Sequence, residues 1–131
     1  MNKAQLLQAL EAFLSQLRYH PALPGDLLSL LRKSGIEQDF LKEFVKMLTK
    51  YDELGRTAAE QLHDYEQLDT RLYSMHIAKG RRFNIRILYA YHADSGQRVL
   101  LHAFWERRSE DYTAALTVAN NRLNELEEDT Q

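Results

Sequence analysis

The sequence predicts an α+β domain in which N-terminal helices are followed by a three-stranded antiparallel meander and a C-terminal helix. Three observations predict it. Apolar residues recur at helical spacing up to about residue 65, and after Asp69 the period falls to two. Two turn signals, Ala78-Lys79-Gly80 and Asp94-Ser95-Gly96, cut the alternating region into three segments, and a helical pattern resumes after Ser109. Helices, then strands, then a helix is the order of an α+β domain rather than of alternating βαβ units. A chain of 131 residues suits one compact domain with an appendage. A helical N-terminal extension, 1–35, is expected ahead of a main domain, 36–131.

The elements follow in order. Leu6, Leu7, Leu10, Phe13, Leu14 and Leu17 make an amphipathic helix over Lys3 to Tyr19, which His20-Pro21-Ala22-Leu23-Pro24-Gly25 interrupts. Asp26 is placed to cap a short helix through Lys33, ended by Ser34-Gly35. Phe40, Leu41, Phe44, Val45, Leu48 and Tyr51 give a longer helix that stops near Leu54-Gly55. Thr57-Ala58-Ala59-Glu60 has capping-box spacing, which predicts a fourth helix to about Tyr65. Leu72 to Ile77, Arg82 to His92 and Arg98 to Trp105 read as the strands. Phe83, Ile85, Ile87, Tyr89 and Tyr91 share the core face of the middle strand, leaving Arg82, Asn84 and Arg86 on the other. The last helix carries the stripe Tyr112, Leu116, Ala119, Leu123 and Leu126, and its acidic end, Glu125 to Gln131, is expected to fray.

Charge is unevenly spread. The net charge is −2, yet residues 71–108 hold 8 basic and 2 acidic side chains, a local +6 between two acidic flanks. Surface fields reach only about 8–10 Å at physiological salt, so such an island can attract phosphates whatever the total charge. It can equally be a solvated face neutralised by its flanks. Zero cysteines exclude disulfides, thiolate zinc sites and a cysteine nucleophile. No glycine-rich nucleotide loop, HExxH or nucleophile elbow occurs, and the five histidines form no i, i+3 or i+4 ligand pair. No metal or other cofactor is expected. No run reaches the roughly 20 apolar residues of a membrane span, so no membrane partner is expected and the cytoplasm is the expected compartment.

The face opposite the aromatic stripe is where chemistry is expected. Arg86 and Asn84 can be joined there by Ser74 and His76 from the preceding strand and His102 from the following one, with Arg107, Arg108 and Tyr112 closing the edge. Guanidinium groups stay charged and present forked donors that fit phosphate oxygens. Cleavage by a ribose 2′-hydroxyl also needs a base and an acid, for which His76, His102 and Tyr112 are the choices. Each has a plainer role: Arg86 in a structural ion pair, His102 and Tyr112 in the core, Lys79, Arg81 and Arg82 as solvated turn charges.

The segments Leu72-Tyr73, Asn84-Ile85-Arg86-Ile87-Leu88-Tyr89 and Val99-Leu100-Leu101-His102-Ala103-Phe104, with the charged turn and helix that follow, resemble the RelE/ParE toxin superfamily, in particular its HigB-type, phage-derived branch. The resemblance runs from about Asp39 to Glu127. It implies the toxin of a type II toxin–antitoxin pair, a growth inhibitor that cleaves mRNA without metal, commonly in the ribosomal decoding site. By position it implies Arg86 as the central-strand arginine and Arg107-Arg108-Ser109-Glu110-Asp111-Tyr112 as the basic turn plus tyrosine. Arg86, Arg107, His102 and Tyr112 are thus the expected catalytic residues, and Lys79, Arg81, Arg82, Arg108 and His76 the expected RNA contacts. A cognate antitoxin is the implied partner, with mRNA and the ribosome. Ser74-Met75-His76 stands where the family commonly has Glu-Leu-Arg, which keeps a non-catalytic binding protein, such as a gyrase inhibitor or docking module, as the alternative. The apolar stripe of residues 1–35 suits a homodimer interface or a cover over the site.

Overall fold

The computed structural model describes residues 1–129. The elements are α1 (Lys3–Leu14), β1 (Arg18–Tyr19), α2 (Leu23–Leu31), α3 (Glu37–Leu54), α4 (Arg56–Ala59), β2 (Tyr65–Gln67), β3 (Tyr73–Lys79), β4 (Phe83–Tyr91), β5 (Arg98–Trp105) and α5 (Ser109–Asp129). The acidic end expected to fray is helical through Asp129, and Thr130 and Gln131 lie outside the described residues.

The three-stranded meander is the core of something wider. The sheet has five strands in the order β1-β5-β4-β3-β2 and is mixed, because β1 runs parallel to β5 while the other pairs are antiparallel. The two added strands are two and three residues long, too short to show an alternating pattern. β1 occupies the end of what reads as one helix to Tyr19, since α1 stops at Leu14. β2 occupies the end of the expected fourth helix, of which only Arg56–Ala59 is helical. Asp26 does not cap α2, which starts at Leu23 with Pro24 in its first turn.

Period two on β4 sorts its side chains between two cores. Phe83, Ile85, Ile87 and Tyr89 join Met75, Ile77 and the helices of the first 54 residues, including Leu6, Leu10, Leu14, Leu23, Leu27, Leu31, Phe40 and Phe44. Leu88 and Ala90 join Leu72, Val99, Leu101 and Phe104 beneath Ala115, Ala119 and Leu123 of α5. Helices therefore cover both faces, and each fully buried Leu or Phe contributes on the order of 1.5–3 kcal/mol. The leucines of α1 and α2, the stripe considered for a dimer or a cover, are consumed in the first core, on the opposite face from Arg86. Between β4 and β5 the register passes from Leu88↔His102 to Tyr89↔Leu100, so Leu101 is an extra residue, a bulge. β1 pairs only with Val99 and Leu100. Farther along that edge, Asp26 of α2 accepts the Ala103 N–H at 3.3 Å.

Candidate functional site

Antiparallel pairing gathers most of the basic island at one end of the sheet. Lys79 stands opposite Phe83 and Ile85 opposite Trp105, so the 79–82 turn, the 106–108 loop and the start of α5 share that end. Arg86 lies just inside it, opposite His76 and Phe104. Since Phe83, Ile85 and Ile87 fill the first core, Asn84 and Arg86 face the α5 side, as the alternation predicts.

Arg86 is the centre of a polar cradle. Its Nε donates to Glu106 Oε2 at 2.6 Å and its Nη1 to Ser74 Oγ at 3.4 Å, while its guanidinium lies 5.2 Å from the Tyr112 ring centre. The Ser74 and Tyr112 hydroxyls are 3.5 Å apart. His76 Nε2 meets Asn84 Oδ1, and its Nδ1 is 3.7 Å from Asp64 Oδ1. Asn84 Nδ2 donates in turn to the Glu106 carbonyl at 3.3 Å. Burial pushes the Tyr112 hydroxyl above its ordinary pKa against the opposing pull of Ser74 and Arg86, so it is protonated at neutral pH and can donate.

The other expected residues divide. Lys79 and Arg82 both pair with Asp39, Lys79 at 3.7 Å, which docks the β3–β4 turn on the first turn of α3. Arg81 and Arg108 are exposed and form no ion pair among the described residues. The Arg107 guanidinium sits 4.6 Å from the Trp105 ring centre, and Trp105 packs against the first core, so Arg107 does not converge with Arg86. The backbone N–H groups of Arg107 and Arg108 both donate to Asp111 Oδ2, at 2.8 and 2.9 Å, which holds the Asp111 carboxyl below the usual range.

His102 stands apart from the cradle as well. The Phe104 ring lies between it and Tyr112, its centre 6.2 Å from the His102 ring and 5.3 Å from the Tyr112 ring. His102 Nδ1 donates to Asp26 Oδ2 at 2.7 Å. Arg122 donates Nη2 to Asp26 Oδ1 at 3.1 Å and Nη1 to the Leu101 carbonyl at 2.8 Å, so the cluster ties α2, β5 and α5 together. Of the four residues expected to react, the fold unites Arg86 with Tyr112 and sends Arg107 and His102 elsewhere.

From the sequence, Glu106, Asp39, Asp64 and Arg122 belong to no expected site and Asp26 is placed only as a helix cap. Glu106 continues the two-residue period His102, Phe104, Glu106, and its N–H still bonds to the Asn84 carbonyl at 2.9 Å, so periodicity could have found it. Nothing local marks Asp26, 76 residues from His102. Among the described residues no set of three His, Asp or Glu side chains could hold a metal ion, and no helix is long and apolar enough to cross a membrane. No protein-family model, curated protein or solved structure matches the chain.

Proposed function

We propose that this chain is a RelE/HigB-like toxin of a type II toxin–antitoxin pair, acting in the cytoplasm as a metal-free endoribonuclease on mRNA. The observation that carries the reading is the Arg86 cradle, with Glu106, Ser74 and Tyr112, at the sheet end where the basic turn and loop meet. Arg86 neutralises the scissile phosphate. Glu106 takes the 2′-hydroxyl proton as the 2′-oxygen bonds to phosphorus, and the P–O5′ bond breaks. Tyr112 or His76 protonates the leaving 5′-oxygen, which gives a 2′,3′-cyclic phosphate and a 5′-hydroxyl end. Arg81 and Arg108, with Lys79 and Arg82, hold flanking phosphates.

A second reading rests on the tightness of the Arg86–Glu106 pair, whose side chains are only 16% and 23% exposed. There the pair is structural and the protein is a non-catalytic docking module or gyrase inhibitor. Induced expression discriminates between the two. Growth arrest with transcript cleavage, relieved by Arg86→Ala and weakened by the exposed double change Arg81→Ala and Arg108→Ala, supports the nuclease. Arrest with DNA damage and intact transcripts supports the gyrase inhibitor. Unaffected growth and transcripts overturn the nuclease reading.

A further inference from the structure

A second recess flanks α5 on the β5 side. It is a slot of about 200 Å³, walled by Phe104 and Trp105 of β5 and by Ala114 and Val118 of α5, with His102 and Asp111 supplying its polar groups. The partners of those two groups fix what they offer. A carboxylate cannot donate, so the short contact to Asp26 puts the proton of a neutral His102 ring on Nδ1. Nε2 is then an acceptor, and it has no protein partner among the described residues. Asp111 uses Oδ2 for the two backbone N–H groups, and its Oδ1 accepts none among the described residues.

The slot thus presents two acceptors between an aromatic wall and an aliphatic one. A flat ring with N–H donors on its edge matches both features. Exposed Arg108, whose backbone N–H bonds to Asp111, adds positive charge for an attached phosphate. We infer that this slot binds a nucleobase bearing an exocyclic amino group, adenine, cytosine or guanine, in a free nucleotide or in an RNA strand. Uracil fits poorly, because its single N–H is flanked by carbonyls that would face the two acceptors. The inference requires no reaction at Arg86, and its readout is binding.

Trp105 is the sole tryptophan of the chain, so its fluorescence reports on the slot. The full-length protein is titrated with AMP, CMP, GMP and UMP and with a short mixed-sequence oligoribonucleotide. Saturable quenching by the three amino-bearing nucleotides is expected, with UMP about tenfold weaker. Ala114→Leu, at an exposed helix position, fills the slot and should abolish the response. His102→Phe should remove the preference over UMP, and circular dichroism checks that both variants are folded. Quenching by the oligonucleotide alone supports an RNA strand as occupant, and quenching by mononucleotides supports a free nucleotide. Equal response to all four nucleotides, survival of quenching in a folded Ala114→Leu protein, or no response to any ligand overturns the inference.

Discussion

Glu106 Oε2 lies 2.6 Å from Arg86 Nε, while Ser74 Oγ takes Nη1 of the same guanidinium and the Tyr112 ring centre lies 5.2 Å from it. A half-buried pair of this kind is weakened more by losing one partner than by losing both. Glu106→Ala should therefore cost about 3 kcal/mol in chemical denaturation, and the added change Arg86→Met should recover part of that loss. If the Arg86 cradle reacts, Glu106→Gln removes cleavage and keeps RNA affinity in a filter-binding measurement.

Asp26 joins three elements through His102, Arg122 and the Ala103 N–H, with all three side chains 15% exposed. Asp26→Ala should destabilise the fold by about 3–5 kcal/mol, since Arg122 would be left without its carboxylate. Asp26→Asn should cost less, because the amide keeps one acceptor.

Burial pushes the Asp26 carboxyl up, and hydrogen bonds and charge from His102 and Arg122 outweigh it and set it below the usual carboxylate range. A folded-state pKa below the unfolded value of about 3.9 means that the ionised form stabilises the fold. That stability is complete above the unfolded value and is lost as the pH falls through the lowered one. An acid unfolding curve should show it, and Asp26→Asn should flatten that part of the curve.

At the far end of the first core, Tyr89 and Tyr91 both donate to Glu60 Oε2, at 2.6 and 2.8 Å. Burial foremost, then the Glu60 bond and for Tyr91 the Tyr51 hydroxyl, raises both phenols well above their ordinary range. Raised folded-state values stabilise the protein below about pH 10 and cease to do so as unfolded tyrosines ionise above it. Phenolate absorbance should therefore lag behind that of free tyrosine, and its last fraction should appear together with unfolding. Tyr89→Phe should shorten the lag.

Gly55 separates α3 from α4 at φ 82° and ψ 164°, a conformation open to glycine alone. A Cβ there would meet nothing within 4 Å, so the cost of a side chain is the backbone strain itself. Gly55→Ala should lower stability by about 1–3 kcal/mol, read from the thermal midpoint.

The period of the apolar residues determined much of this fold. Leu6 to Leu14, Phe40 to Tyr51, Phe83 to Tyr91 and Arg98 to Trp105 take the structure their spacing predicts, and Arg86 faces the predicted side. Periodicity failed at Arg18–Tyr19 and Tyr65–Gln67, where two or three residues become strands only because a longer strand offers them hydrogen bonds.

The sequence by itself determined which faces are apolar and where the cations fall along the chain, because a side chain's direction follows from local backbone geometry. The tertiary structure alone decided which cations remain free. Asp39 pairs with Lys79 and Arg82, Glu106 holds Arg86, and Asp26 holds His102 and Arg122, while Arg81, Arg107 and Arg108 are exposed and pair with no carboxylate among the described residues. Coulomb attraction acts through space over a few ångströms, and these neighbours are up to 96 residues apart in the chain.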